Sequence, residues 1–534
     1  MRLGKRKLIY AILILSAIMV ITASCLESPN DFTEDDAENI VETTAAQLAV
    51  PKNEVFLNFD VTPDGAAYIS GIASQTLIKG EKSTPVEAVA CPGYKFVKWS
   101  DGEENAAREA MTVSESQTIY AIFEESMDSC PEIYINTEDN VDPQSDYQYL
   151  NCTISIDNIP KRYALSDATA TIKCRGNASM GWVKKSFTLK FTESVKLAGL
   201  GKGKSKNWVL VSNHCDQSLM RNQAAFTLQR LMDGIEWAPD CRPVDVYVNG
   251  DYRGNYMLIE KVTVNKNRVN TVNTKDNPSI DADFMLELDN YASKAGDYGV
   301  VWFTAKSYPY EIRGEENLTS ERCDYIDQWV TDAYVTACSG TEEEIRAILD
   351  IDSLVDCYLA EEIMKNIDCG WSSFFLYRRD GMLYFGPGWD FDLAAGNDYR
   401  LDNGSYKGLY AGKPNGFSQQ NTWFLVMMEK DWFRKLAAER FFELDKEGVF
   451  EEWLEDLDSV YSICAESFIH NFERWPIFGQ RLNMEPDQIR ALDSVEEHYS
   501  YLKEWLGNRI VWLADEYTEM LAELGEENDN NDKP

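Results

Sequence analysis

Residues 244–261, VDVYVNGDYRGNYMLIEK, carry the clearest fold signal in the chain. Apolar and polar residues alternate up to Asn249-Gly250, and a second run of strand-forming residues extends from Tyr252 to Ile259. An Asn-Gly pair between two such runs predicts a tight hairpin, because both central residues of its turn take positive φ. The segment therefore predicts two antiparallel strands within a strand-rich region.

Two halves of different character surround this hairpin within residues 130–520. In the first half, alternation at residues 169–173 and 186–191 predicts further strands, and Asp216 can cap one helix that Gly234 can end. In the second half, spaced apolar residues predict helices from Asp352 to about Asn366, Asn421 to Leu444, Glu451 to Phe468 and Ser494 to Leu524. A strand-rich lobe followed by a helical lobe favours an α+β domain, with a ligand cleft between the lobes.

A separate all-β module is predicted at residues 51–126. Residues 55–61 and 117–123 alternate between apolar and other side chains, and GYKFVKWSDG at residues 93–102 joins a strand to a turn. Such period-two patterns between Gly and Asp turns are typical of small β domains. Residues 93–102 and the closing Ala121-Ile122-Phe123 resemble the internalin B-type repeat of bacterial surface proteins. This resemblance implies a spacer or adhesive unit, in which we expect the aromatic residues to form the core.

The N-terminal segment has the layout of an export signal. Basic residues precede the charge-free apolar run Leu8–Ala23, which is shorter than the roughly 20 residues of a membrane-spanning helix. Thr22-Ala23-Ser24-Cys25 resembles a bacterial lipoprotein cleavage box. We therefore predict an exported, cell-surface or extracellular protein, whose membrane contact is limited to a lipid on Cys25 or a signal anchor. The predicted non-domain segments are a signal peptide at residues 1–25, a linker at 26–50 and a disordered tail at 521–534.

Composition restricts the classes of function. The 534 residues include 89 acidic and 51 basic side chains, giving a formal net charge of −38, which disfavours binding to nucleic acid. The 44% hydrophobic content is ample for packed cores and excludes a wholly disordered chain. No two of the 12 cysteines form a Cys-x-x-Cys pair, so a zinc ribbon or dithiol redox site is disfavoured. We expect most cysteines to be buried as small apolar residues.

Three polar segments of the strand-rich half are candidates for ligand binding. RGNAS at residues 175–179 and KKSF at 184–187 offer backbone N–H groups and cations to an anion, or form an ordinary turn and a solvated strand start. NHCDQSLMRN at residues 213–222 has a candidate base but no nucleophile motif, and its Arg221-Asn222 either organises the interior or contacts phosphate. Glu260-Lys261 ends the hairpin, where a Lys184–Glu260 ion pair would compensate the buried charges.

The strongest candidate for chemistry is acidic. Asp368 follows a predicted helix, and after a predicted strand and turn comes LYFGPGWDFD at residues 383–392. Asp390 and Asp392 alternate with Phe391, so both carboxylates can face one side of an extended segment and bind Mg²⁺. Phosphoryl transfer needs this combination of a cation clamp and a carboxylate for the acceptor hydroxyl. The alternative is an acidic turn on an acidic surface.

Residues from about 130 to 515 resemble the CotH kinase family. The matching segments, in order, are RGNAS at 175–179, KKSF at 184–187, NWVL at 207–210, Arg221-Asn222, YVNGDYRG at 247–254, Glu260-Lys261 and YFGPGWDFD at 384–392. The resemblance implies an atypical protein kinase with a remote kinase-like, two-lobed fold. It also implies ATP, a divalent metal ion (Mg²⁺ or Mn²⁺) and a secreted or surface protein as acceptor.

The resemblance also implies roles for single residues. Lys184 or Lys185 would hold the ATP phosphates, Glu260 would orient that lysine, and Asp368 would accept or orient the acceptor hydroxyl. Asp390, assisted by Asp392, would hold the metal. Further nucleotide contacts are implied for Arg175, Asn177, Ser179, Arg221 and Asn222. The chain lacks the glycine loop and His-Arg-Asp signature of ordinary kinases. The competing function is non-catalytic binding of protein or carbohydrate at the cell surface.

Overall fold

The computed structural model describes residues 53–271, 277, 279–296, 300–306, 308–315, 318–414 and 421–531. The chain divides into two compact units, one containing residues up to Ala90 with Phe96–Phe123, the other Cys91–Lys95 with residues from Glu124 onward. The predicted signal peptide, the lipidation site Cys25 and the linker at 26–50 lie outside the described residues. Among the helices that are described, none is both long and apolar enough to cross a membrane.

The first unit is all-β, as predicted. Its strands are β1 (Glu54–Thr62), β2 (Ala67–Gly71), β3 (Ser74–Ile78), β4 (Val86–Ala90), β5 (Tyr94–Trp99), β6 (Ala107–Arg108) and β7 (Gln117–Glu125). They form a four-stranded sheet in the order β3-β1-β7-β5 and a three-stranded sheet in the order β2-β4-β6. Trp99 is fully buried, and its ring centroid lies 5.5 Å from that of Phe59. Phe59, Trp99 and Phe123 therefore lie in the core of this unit, as predicted for the aromatic residues, whereas Phe56, Tyr68 and Tyr120 are exposed.

The second unit begins with a closed seven-stranded barrel. Its strands are β8 (Glu132–Thr137), β9 (Leu150–Asp157), β10 (Leu165–Arg175), β11 (Ser186–Val195), β12 (Ser205–Val211), β13 (Cys241–Val248) and β14 (Asp251–Glu260), in the order β10-β11-β12-β14-β13-β8-β9. The predicted hairpin is β13–β14, and both turn residues, Asn249 and Gly250, have positive φ. Alternate apolar side chains such as Ile133, Ile135 and Leu258 are buried in the core of the barrel.

A five-stranded sheet and a set of helices complete the second unit. The strands β15 (Phe284–Leu288), β16 (Trp302–Ala305), β17 (Tyr308–Arg313), β18 (Phe374–Arg379) and β19 (Met382–Gly388) lie in the order β16-β17-β15-β18-β19. The helices are α1 (Arg221–Leu231), α2 (Ala292–Gly296), α3 (Ser320–Ser339), α4 (Glu342–Arg346), α5 (Ile351–Met364), α6 (Thr422–Met428), α7 (Asp431–Lys446), α8 (Val449–Arg474), α9 (Asp487–Arg490) and α10 (Val495–Asn531). This mixture confirms the predicted α+β class.

Several predicted helix ends differ from the structure. Asp350, not Asp352, caps α5, because its side chain accepts a hydrogen bond from Ser353 N at 2.9 Å. The single helix predicted from Asn421 is two helices, α6 and α7, because Lys430 has an extended backbone that interrupts the hydrogen-bond ladder. Helix α10 continues to Asn531. The prediction of a disordered tail from residue 521 is therefore wrong for residues 521–531.

A buried lysine links the barrel to helix α8. Lys184 is 2% exposed, and its Nζ donates to Ser212 O at 2.8 Å, Asn255 O at 2.5 Å and Asn471 Oδ1 at 2.8 Å. Asn471 belongs to α8, whereas the other groups belong to the barrel and the segment after β12. The three acceptors match the three N–H donors of an ammonium group. Lys184 therefore holds barrel and helix together.

The predicted ion pair between Lys184 and Glu260 is wrong. In the barrel register Glu260 pairs with Trp208, which in turn pairs with Leu189, five residues beyond Lys184 along β11. Five strand residues span about 16 Å, which is too far for an ion pair. Arg268 takes the place of the lysine, with its Nε 3.3 Å from Glu260 Oε1.

Replacing Lys184 by methionine should lower the free energy of unfolding of the second unit by about 3 kcal/mol. Methionine keeps the length of the side chain but removes one hydrogen bond from each of three buried acceptors. Asn471 Oδ1 keeps a second donor, Asn255 N at 3.1 Å, so the main loss is at the carbonyls of Ser212 and Asn255, at about 1–3 kcal/mol each before relaxation. Urea unfolding monitored by tryptophan fluorescence measures this loss. The matched control is Lys185→Met, because Lys185 is half-buried and its Nζ donates to one group among the described residues, Met180 O. Equal losses in the two variants would contradict a structural role specific to Lys184.

Candidate active site

A cavity of about 1000 Å³ lies between the barrel and the five-stranded sheet, within the second unit. The barrel contributes residues from β10, β11 and β12 and from the segment after β14, and the sheet contributes residues from β15 and β17. Asp368, Asp390 and Asp392 all line this cavity, although they come from two separate loops. The structure thus brings together the three carboxylates that the sequence singled out.

The prediction that Asp390 and Asp392 lie on an extended segment is wrong. Asp390 has a φ of 64°, in the left-handed region that L-residues with a side chain rarely adopt. The next residue is held from outside the loop, because Phe391 N donates to Asn222 Oδ1 at 2.9 Å. The two aspartates therefore reach the same cavity through a fixed turn and not through strand alternation.

Arg221 and Asn222 support this turn and do not line the cavity. Arg221 Nε donates to Ala394 O at 3.0 Å, and its Nη1 lies 2.6 Å from Asp216 Oδ1 in a fully buried ion pair. Asp216 Oδ2 also accepts from Arg221 N, the first residue of α1. The predicted helix ends are wrong, because the N-cap position is Met220 and not Asp216, and the helix ends at Leu231, before Gly234. The sequence left open whether Arg221-Asn222 organises the interior or contacts phosphate. The structure supports the role in organising the interior.

Burial raises the pKa of all three carboxyls, and the charge of Asp390 adds to the shifts of Asp368 and Asp392. Burial raises the pKa of Asp368 to about 7, and the charge of Asp390 adds to the effect. Burial raises the pKa of Asp392 well above its ordinary value, with further contributions from Asp390 and Asp368. Burial also raises the pKa of Asp390, and the nearby Arg175 opposes that shift. Clustered carboxylates of this kind create a strong preference for a cation.

The carboxylate oxygens fit a hard divalent cation such as Mg²⁺, which prefers oxygen ligands. Among the residues that the structure describes, however, no three His, Cys, Asp or Glu side chains form a group able to hold a metal ion. The protein thus offers part of a coordination shell. Mg²⁺ commonly completes its shell with water and substrate phosphates, so a partial protein site is compatible with it.

The glycine turn after β10 brings its predicted residues to the cavity. Arg175, Asn177 and Ser179 all line it, and Gly176 has a φ of +115°. The Arg175 guanidinium lies 5.4 Å from the ring centroid of Trp389, within the range of a cation–π contact. The charges of Asp390 and Glu287 favour its charged form and oppose the effect of burial on its pKa. An arginine held in this way can donate to phosphate through two N–H groups at once.

Lys173 and Lys261 both line the cavity, whereas neither Lys184 nor Lys185 does. No hydrogen bond or ion pair joins Lys261 Nζ to another residue in the described part of the chain. Burial lowers the pKa of Lys261 to about 8, with repulsion from Arg175, Arg313 and Lys173. Strand alternation could have predicted this position of Lys261. Consecutive strand residues face opposite sides, so a Glu260 side chain inside the barrel places the Lys261 side chain outside it.

The cavity also contains a cluster of charged residues on the five-stranded sheet, for which the sequence predicted no role. Glu287 and Glu311 lie directly opposite each other on β15 and β17, and Arg313 pairs with both, 2.5 Å from Glu287. This bridge compensates the repulsion expected of like charges on paired strands.

His214 also lines the cavity, but burial lowers its pKa to about 4, so its imidazole is neutral at physiological pH. Burial and Asp392 raise the pKa of the adjacent Cys215 thiol, which disfavours a thiolate nucleophile.

Comparison with known protein families agrees with both resemblances seen in the sequence. The CotH kinase protein family matches residues 172–513, well over half of the chain. The divergent InlB B-repeat domain matches residues 57–127. A search of curated proteins gives no match. With its cavity-lining aspartates inside the matched region, the chain belongs to the CotH kinase family and carries a divergent InlB B-repeat domain near its N-terminus.

Proposed function

We propose that the protein is an exported kinase that transfers the γ-phosphoryl group of ATP to Ser or Thr hydroxyls of secreted or surface proteins. Membership of the CotH family supports a kinase-like protein, and the InlB B-repeat is consistent with a location at the cell surface. The observation that carries the proposal is the convergence of Asp368, Asp390 and Asp392 with Arg175 and Lys261 in one cavity. Phosphoryl transfer requires positioned cations on the phosphates and a carboxylate near the attacking hydroxyl.

The phosphates would be held by Arg175 and Lys261. Lys261 takes the role that the family resemblance implied for Lys184 or Lys185, because it faces the cavity and has no competing partner among the described residues. Lys184 instead has all three of its N–H donors engaged inside the protein. Arg175 adds a flat, permanently charged donor group beside Asp390.

Asp368 would orient the acceptor hydroxyl and take its proton on a carboxylate oxygen. A general base works best when its pKa lies near the working pH, and burial raises the pKa of Asp368 to about 7. Asp390 and Asp392 would hold the divalent cation, which when bound neutralises phosphate charge. Arg221 and Asn222 fix the backbone that presents these two aspartates.

Asp390→Asn should lower phosphoryl transfer by about 100-fold or more, because it removes a charged oxygen where phosphate charge must be neutralised. The assay measures transfer of labelled phosphate from ATP to the protein itself and to a surface-protein extract, with Mg²⁺ or Mn²⁺. Asp380→Asn is the matched control: Asp380 lies in the β18–β19 turn, outside the cavity, and also has a positive φ. Undiminished transfer by the Asp390 variant would remove this residue from the metal site.

ATP binding should weaken as the pH rises above 8. The pKa of Lys261 is lowered to about 8, so the side chain is charged below that pH and neutral above it. Since phosphate binds the charged form, Kd should rise by up to about tenfold per pH unit above the pKa. Calorimetric titrations at pH 7, 8 and 9 measure the effect. Lys261→Arg keeps its charge throughout and should flatten the profile; the same slope in both proteins would exclude Lys261 as its cause.

The second candidate is a non-catalytic protein that binds protein or carbohydrate at the cell surface. It is favoured by the incomplete set of metal ligands among the described residues and by the InlB B-repeat. The same labelled-ATP assay separates the two functions. Binding of ATP without transfer to any acceptor, or no binding at all, would support the non-catalytic protein over the kinase.

A further inference from the structure

A row of cations runs along the barrel side of the cavity. Lys173 and Arg175 lie two residues apart on β10 and therefore face the same side, about 6.6 Å apart along the strand. Lys261 lines the same cavity as both residues, and their charges contribute to lowering its pKa. Arg175 forms the end of the row beside the acidic loop, because its guanidinium lies 5.4 Å from the ring centroid of Trp389, the residue before Asp390. The row thus leads from the acidic loop towards Lys173.

An exposed aromatic ring lies at the Lys173 end of the row. Leu150 pairs with Ile172 in the β9–β10 register, so Tyr149 comes beside Lys173. The Lys173 Nζ lies 5.1 Å from the centre of the Tyr149 ring and donates to Asp146 O at 2.6 Å. Tyr149 lines the cavity and yet remains 41% exposed. The ammonium group therefore holds one side of the ring while a large part of the residue faces the cavity opening.

We propose that Tyr149 is the stacking platform for the base of the bound nucleotide. The order of groups along the cavity is carboxylates, cations and aromatic ring, running from Asp390 past Arg175 to Tyr149. This order matches the parts of a nucleoside triphosphate with its metal ion: the metal-bound end, the polyanion and the flat base. The inference rests on the proposed function, since it assigns the base position in the same nucleotide site.

A stacking platform gives a characteristic specificity. Stacking uses the ring face, which every base has, so the site binds a base without selecting it by hydrogen bonds. The contribution should be specific to ligands that carry a base and absent for the phosphate chain alone. This property separates Tyr149 from Arg175 and Lys261, which would act on any polyphosphate.

The test is a calorimetric titration of the full chain with Mg²⁺–ATP and, separately, with inorganic tripolyphosphate. Tyr149→Ala should weaken ATP binding by about tenfold or more, the range expected for loss of one base–aromatic stack. It should leave tripolyphosphate binding unchanged. Tyr149→Phe should bind both ligands as the wild type does. Tyr147→Ala is the matched control, because Tyr147 is 67% exposed, lies two residues away and does not line the cavity.

The outcomes separate this inference from the proposed function. If the wild type binds ATP and Tyr149→Ala binds it equally well, the base does not stack on Tyr149, and the kinase proposal is untouched. If Tyr149→Ala weakens ATP and tripolyphosphate to the same extent, the ring acts through Lys173 and the inference is again overturned. If the wild type binds neither ligand, the nucleotide site itself is wrong, and the proposed function and the inference fall together.

Discussion

The buried ion pair between Arg221 and Asp216 is the contact on which the candidate site depends. Both side chains are almost fully buried, and the guanidinium also donates to the carbonyls of Ala394 and Ala395. Removing one partner of such a pair leaves an uncompensated buried charge and typically costs about 3–5 kcal/mol. The pair joins the start of helix α1 to the loop after β19. It thereby supports an acidic loop whose backbone has positive φ at Asp390 and Ala395, a conformation that is unfavourable for residues with a side chain.

Local patterns in the sequence predicted those parts of the fold that are stabilised locally. Asn249-Gly250 predicted the β13–β14 hairpin because the turn itself requires positive φ. Alternation in the first unit likewise predicted strands and a buried Trp99. The grouping of Asp368 with Asp390 followed from a hairpin of predictable length, and β18 and β19 form that hairpin.

The rest depends on contacts between distant segments, which single patterns do not encode. The choice between Lys184 and Lys261 required the register of β11, β12 and β14, and the position of Arg268, which has no motif of its own. The positive φ of Asp390 depends on support from Asn222, 168 residues earlier in the chain. The end of α10 was missed for a different reason, because polar, charged residues were taken as evidence of disorder although many of them favour helices.

The charges in the cavity are arranged in a way that folding stability alone does not explain. Arg313 shows what a stability-driven arrangement looks like, since it pairs with both Glu287 and Glu311. Lys261 and the carboxylates of Asp368 and Asp392 do not pair in this way with any residue that the structure describes. Burial lowers the pKa of the lysine and raises the pKa of each carboxyl, so both shifts oppose the charged forms. Unpaired groups with opposite shifts in one cavity are characteristic of ligand sites. A bound cation alone would stabilise the charged form of the carboxylates only, and a bound anion alone would stabilise the charged form of the lysine only. A metal–nucleotide complex would stabilise both.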